Sequence, residues 1–204
     1  MTSLCINDES TRLNQVIIGL GAPYQRDKEK VAAEMSEFPL VPDTDRKSEV
    51  LALTYPEETD LINEYADYVK TLRKYDVEVL LADPEAAYSF DYTCPRDIGF
   101  VIGDHFFIAN MAVSSRREEI KTIQHHLTNI VPGKIIKLPG GCLLEGGDVI
   151  LLKNKTVLVG MNQRSDFAGF EFLSHFLSSM DFHVIPVRHR QLHLDCCLNP
   201  LGQD

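Results

Sequence analysis

Positive charge is scarce in this 204-residue chain: 20 lysines and arginines stand against 30 aspartates and glutamates, a formal net charge of -10. Nucleic-acid binding needs clustered Lys and Arg, so that class of partner is excluded. No apolar run is long enough to span a bilayer, and Met1 to Glu9 shows neither the basic start nor the apolar stretch of a secretory leader. The sequence therefore reads as a cytoplasmic protein with no membrane partner. Cysteines are odd in number (Cys5, Cys94, Cys142, Cys196 and Cys197) and lack Cys-x-x-Cys spacing, which argues against both a disulfide scaffold and a zinc site. With 44% hydrophobic residues and no break in composition, residues 1–204 suit a single domain with a sizeable core.

What is present is a repeat. Three acidic tripeptides, Pro95-Arg96-Asp97, Gly146-Gly147-Asp148 and His193-Leu194-Asp195, each open an apolar stretch and recur about every 50 residues, a period typical of repeat architectures. Behind Asp97 the pattern predicts a hairpin turning at Gly103-Asp104 and ending at Met111. Behind Asp148 it predicts another, turning at Lys153-Asn154 and ending at Met161. A helix over residues 117–130 follows the first, with Ile120, Ile123, Leu127 and Ile130 on one face, then a strand at 134–138. The second hairpin is followed by a helix marked by Phe167, Phe170, Phe176, Leu177 and Met180, then a strand at 183–187. The unit is thus ββαβ. A longer first copy has a strand from Gln15 and a helix from Glu57 to Tyr75 with Ile62, Tyr65, Ala66, Val69 and Leu72 inward. Pro56 and the acids Glu57 and Glu58 suit that helix's start, and a strand follows at 77–81. The polar stretch from Ala22 to Ser48 reads as a long surface excursion.

A ring of such units brings equivalent strand starts to a common axis, so that Asp97, Glu145 with Asp148, and His193 with Asp195 face one cavity. A single acid after a loop is as readily a turn residue; three in register, one beside a histidine, point to a site. Such a pocket suits a planar guanidinium, held by bidentate charge-assisted hydrogen bonds. It equally suits a divalent metal ion. His-x-Asp on a strand puts both side chains on one face and serves either reading.

Four segments, Leu144 to Val149, Leu192 to Asp195, Pro95 to Asp97 and Val159 to Arg164, together resemble the guanidino-group-modifying enzymes of the pentein superfamily. These are arginine deiminases, dimethylarginine dimethylaminohydrolases and amidinotransferases, and residues 10–19 are similar to the first strand of that family. The resemblance implies an α/β propeller of ββαβ repeats, no cofactor and no metal, a small guanidino substrate, and a covalent amidino-cysteine intermediate. It implies that His193 is the general acid and base, that Glu145 and Asp195 grip the guanidinium, that Asp97 is a further substrate acid and that Arg164 meets the substrate's carboxylate. Asp148 is either a further substrate-binding acid or a turn acid bonded to the Gly146-Gly147 backbone, and Arg96 is a partner for an acid within the fold.

One departure bears on activity. The family's cysteine nucleophile belongs to a fifth repeat, whereas this sequence covers about three repeats and the start of a fourth, so the nucleophile is expected to be missing. Residues 196–201 read as a strand, on which Cys197 sits roughly 13 Å along from His193, too far to pair with it. Cys196 points to the opposite face, and Cys94 and Cys142 stand three residues before Asp97 and Glu145. An interrupted ring leaves an open strand edge and apolar faces, which makes the chain a fragment, a truncated product or a homo-oligomer. The expectation is an amidinotransferase or amidine C–N hydrolase; the other readings are a non-catalytic binder of arginine-like ligands and a metal-dependent hydrolase.

Overall fold

The structure, a computed structural model, describes residues 4–20, 58–86 and 93–201. The polar excursion at 22–48, the helix start at Pro56 and Glu57, and the final turn at 202–204 lie outside the described residues. Strand β1 (Gln15–Ile18) pairs in parallel with β2 (Glu78–Leu81), and helix α1 (Glu58–Lys74) lies between them in the chain. Parallel neighbours require such a crossover. The inward stripe of α1 runs through Leu61, Tyr65, Val69 and Leu72, whereas Ile62 and Ala66, expected inward, are exposed. Spacings of four, four and three keep that stripe on one helical face, and Leu61 fits it where Ile62 does not.

The next two units are alike. A one-turn helix α2 (Pro95–Ile98) leads into β3 (Gly99–Ile102), which pairs antiparallel with β4 (His105–Ile108); β4 then pairs in parallel with β5 (Ile135–Lys137). A 3-10 turn (Gly146–Asp148) leads into β6 (Val149–Leu152), antiparallel to β7 (Thr156–Met161), which is parallel to β8 (His183–Arg188). The β6–β7 hairpin turns where Asn154 and Lys155 take positive φ of 58° and 53°. The expected ββαβ order is therefore present twice. Helix α4 (Phe167–Ser178) is capped by Asp166, whose carboxylate accepts the Gly169 N–H at 2.8 Å. Its Leu173 and Leu177 are fully buried among Val149, Leu151, Val157 and Val159, whereas Phe167, at the helix's first turn, is exposed.

Two segments differ from the sequence pattern. The helix expected at 117–130 is broken into 3-10 turns (Ser114–Arg116 and Glu119–Ile123) and one turn of α3 (Gln124–Leu127). Thr122 and Thr128 hydroxyls bond the carbonyls three residues back, competing with helix propagation, yet Ile123, Leu127 and Ile130 are buried as the pattern requires. Residues 196–201 form no strand. Leu194–Cys196 is a 3-10 turn, and the Leu194 carbonyl accepts the amides of Cys197 and Leu198 at 3.0 and 2.9 Å. The strand-based separation of Cys197 from His193 therefore does not hold.

The three acidic tripeptides thus mark three helical turns, and these pack side by side, α2 on the Gly146 turn and the Gly146 turn on the Leu194 turn. Replacing Leu173 with alanine is expected to cost about 2–5 kcal/mol of stability in urea denaturation, the cost of a core cavity. Phe167→Ala should stay within about 0.5 kcal/mol, as for an ordinary surface change; equal losses would contradict this core.

Candidate active site

Three packed turns bring Asp97, Glu145 and His193 together. His193 lies immediately before its turn, in extended backbone, and turns both ring nitrogens to carboxylates: Nε2 is 2.7 Å from Glu145 Oε2 and Nδ1 is 3.5 Å from Asp97 Oδ1. Glu145, which has no exposed surface, also accepts the Ala112 N–H at 2.8 Å and the Arg164 guanidinium at 3.2 Å. Gly147 makes the approach possible. A Cβ there would lie 2.7 Å from the His193 ring and 2.8 Å from Asp97 Oδ1.

Asp97 is held from its other side by Arg116, whose Nη1 donates to Oδ2 at 2.7 Å while its Nε and Nη2 grip Glu119 at 2.9 to 3.1 Å. Arg116 and Glu119 are both fully buried. Sequence reasoning missed them, because Arg116, Arg117, Glu118 and Glu119 have the composition of a solvated face; the pattern holds no sign that two of the four turn inward. The other members fall into place as follows. Arg164, from the turn after β7, joins Glu145. Asp148 is wholly buried in an adjoining cluster, bonded to Ser165, His189 and the Leu194 N–H rather than to the backbone of its own turn. Asp195 is not hydrogen-bonded to Glu145 or His193: it pairs at 3.1 Å with Arg96, which also reaches Glu9 and the Val149 carbonyl at 2.9 Å. Arg96 is thus the internal partner of acids that the sequence suggested. Asp195 misses the cluster because a 3-10 turn, unlike a strand, does not put residues two apart on one face.

Burial alone would push His193 toward its neutral form, but the hydrogen bond to Glu145 and the charges of Asp97, Glu145 and Asp148 outweigh it and raise its pKa above the ordinary 6.5. Burial likewise opposes the charge on Glu145, yet the His193 bond, Arg164 and the Ala112 N–H bring its pKa below 4.5. The cysteines differ. Burial pushes the thiols of Cys142 and Cys196 upward, Cys142 donates to the Pro139 carbonyl at 3.0 Å, and Cys197 donates to the Leu194 carbonyl at 3.3 Å. Cys94 Sγ is 3.7 Å from the Thr93 hydroxyl, and its carbonyl accepts from Arg116. Among the described residues no three His, Cys, Asp or Glu side chains are spaced to hold a metal ion.

Comparison with known proteins follows the same lines. The profile of the family described as N,N dimethylarginine dimethylhydrolase, eukaryotic, matches residues 49–204. An uncharacterized Bacillus subtilis protein, YkgA, is 31% identical over 150 residues, covering 69% of this chain and 48% of that protein, so the chain spans about half the length of this curated relative. A Pseudomonas aeruginosa dimethylarginine dimethylaminohydrolase, solved as a serine-for-cysteine mutant complexed with citrulline, superposes with a TM-score of 0.62 at 19% identity over 69% of this chain and 54% of that one. SxtG, an amidinotransferase of the saxitoxin pathway from Microseira wollei, superposes with a TM-score of 0.68 at 16% identity, over 97% and 67%. At such identities the two structures share the fold.

The two shifts set a pH dependence. The folded state holds the His193 proton more tightly than the unfolded chain, so this stabilisation is complete below pH 6.5 and is lost as pH rises through the raised midpoint. Glu145 contributes stability that is present above pH 4.5 and lost as pH falls through its depressed midpoint. Urea melts across pH should therefore show a fall in stability on the alkaline side that His193→Gln removes. Gly147→Ala should cost about 1–3 kcal/mol by overpacking and lower the His193 midpoint in an NMR titration. An unchanged midpoint would show that His193 does not depend on that close approach.

Proposed function

This chain belongs to the eukaryotic N,N dimethylarginine dimethylhydrolase family, among the guanidino-group-modifying enzymes of the pentein superfamily, and from that premise we propose that it serves C–N hydrolysis of arginine or a substituted arginine of the dimethylarginine type. The observation that carries the reading is the buried His193–Glu145 pair with Asp97 on the opposite ring nitrogen. A histidine that keeps its proton near neutral pH can protonate the departing amine. Having lost it, the same ring can take a proton from the attacking water.

In this reading a thiolate attacks the central guanidinium carbon, the amine leaves with a proton from His193, and water then releases the urea product and the thiol. Asp97 and Glu145 hold the guanidinium, Arg164 meets the carboxylate end, and Asp195 joins once the substrate's guanidinium replaces that of Arg96. The internal pairings support this, since Asp97, Glu145 and Asp195 each already hold an arginine. The two alike ββαβ units support a propeller of about three repeats and the start of a fourth, formed as one domain over residues 1–204. The site of action we propose is cytoplasmic; no helix among the described residues is long and apolar enough to cross a membrane. An amidinotransferase would share the first half-reaction, and the family match favours the hydrolase.

Burial raises the thiols of Cys142 and Cys196, and Cys197 is bound to a carbonyl, which supports a nucleophile other than these three. The chain should accordingly bind dimethylarginine and citrulline in calorimetry with negligible release of citrulline and alkylamine. Asp195→Asn should weaken that binding by about 1.5–3 kcal/mol, the worth of a hydrogen bond to a charged group. Turnover that a thiol alkylator blocks, and that a Cys94→Ser, Cys142→Ser or Cys197→Ser change abolishes, would place the nucleophile within these residues. Stoichiometric metal retained by the purified chain and lost with Asp195→Asn would overturn the guanidinium reading.

A further inference from the structure

Behind the His193–Glu145 pair lies a second buried polar cluster that the proposed reaction does not use. Asp148 is its centre, and both of its oxygens are engaged: Oδ1 accepts the Leu194 N–H at 2.9 Å and lies 2.9 Å from His189 Nε2, and Oδ2 accepts the Ser165 hydroxyl at 2.6 Å. Ser165 Oγ in turn accepts the Glu145 N–H at 3.1 Å. Asn162 extends the cluster, accepting the amides of Arg164 and Ser165 and donating to the carbonyls of Gln191 and Leu192. Asp148 therefore ties the residue after His193 to the backbone of Glu145 itself.

Unlike Asp97, Glu145 and Asp195, each of which holds an arginine, Asp148 is bonded to a backbone N–H, a hydroxyl and an imidazole. Asp148 and Ser165 have no exposed surface, His189 is nearly as buried, and a Cβ on Gly160 of β7 would run into Asp148 Oδ1 and lie 2.6 Å from His189 Nε2. A guanidinium reaching Asp148 would have to break the bond to Leu194. Resting on the reading of His193 and Glu145 as the acid–base pair, we propose that Asp148, Ser165 and His189 are positioning residues that hold these two side chains in hydrogen-bonding register, and that Asp148 does not touch substrate. Asp148 and Ser165 have every side-chain oxygen bonded, while His189 Nδ1 is buried without a partner; such bonds suit that task, because each fixes the geometry of the next. The role of Asp148 is thereby moved from the substrate to the backbone that carries the histidine.

His193 faces Glu145 and Asp97 directly and Asp148 through space; Glu145 and Asp97 are countered by Arg164 and Arg116, and His189 Nε2 lies 2.9 Å from Asp148. Side-chain NMR of the histidines in the 204-residue chain can read the arrangement without ligand or turnover, through the His193 proton shared with Glu145 and the His193 titration midpoint. In Ser165→Ala, which removes no charge, the shared-proton signal should broaden or vanish and the midpoint should move down, with a smaller move in the same direction for His189→Gln; in Asp148→Asn the loss of the carboxylate charge lowers the midpoint by itself, so there the shared-proton signal is the deciding reading. Asp166→Ala is the control. It removes the cap of α4 and the bond to the Leu143 N–H without touching Asp148, Ser165 or His189, so it should lower the melting temperature while leaving both His193 readings in place. If Asp148→Asn does not fold, Ser165→Ala and His189→Gln decide the matter. Network variants that melt early but keep the wild-type His193 signal and midpoint would overturn the proposal. A chain that fails to bind guanidino compounds would instead sink the functional reading and leave the NMR result standing.

Discussion

Everything in this structure that bears on chemistry depends on keeping one carboxylate, Glu145, charged where no water reaches it. Unpaired burial of such a charge costs many kcal/mol, so the group either neutralises or is fully partnered. Here a backbone N–H, an arginine and a histidine partner it, and each comes from a different part of the chain: Ala112 beyond β4, Arg164 beyond β7, and His193 beyond β8. The fold must therefore be correct over some 80 residues before the charge is tolerated. Folding and site assembly are in this sense one event.

That requirement explains the form of the repeats. Each acidic tripeptide starts a single helical turn, and the turns can pack against each other only where small residues allow it. Gly147 admits the His193 ring beside Asp97, and Gly160 admits Asp148 beside His189. Glycine at these places acts through the side chain it lacks. Arg116 performs the balancing function at Asp97 that Arg164 performs at Glu145, so each site acid carries its own guanidinium.

Much of this was legible in the sequence, and the part that was not has a physical cause. The apolar runs at 99–108 and 149–161, each split by turn residues, gave the hairpins and their order, because such runs and turns are local signals. Repeat spacing brought together the three turns that carry Asp97, Glu145 with Asp148, and His193 with Asp195, but not which acid of each pair meets the His193 ring. Illegible were the features fixed by tertiary context. Arg116 and Glu119 look like surface residues until a buried aspartate calls for a counter-charge. The segment after Asp195 has strand-like composition, but the Leu194 carbonyl captures the amides that a strand would need. As a result Asp195 lies against Arg96 instead of beside Glu145. The phase of α1, shifted to include Leu61, was likewise decided by packing.

The central claim is that Asp97, Glu145, His193 and Arg164 form one guanidino-binding site. Its most direct test is the titration of the isotopically labelled chain with citrulline, followed by NMR at histidine and arginine side chains. The account predicts saturable shifts centred on His193, Arg164, Arg116 and Arg96, with Arg96 moving as Asp195 is taken over by the ligand. Saturable shifts confined to a different face of the chain, with His193 and Arg164 unmoved, would contradict it.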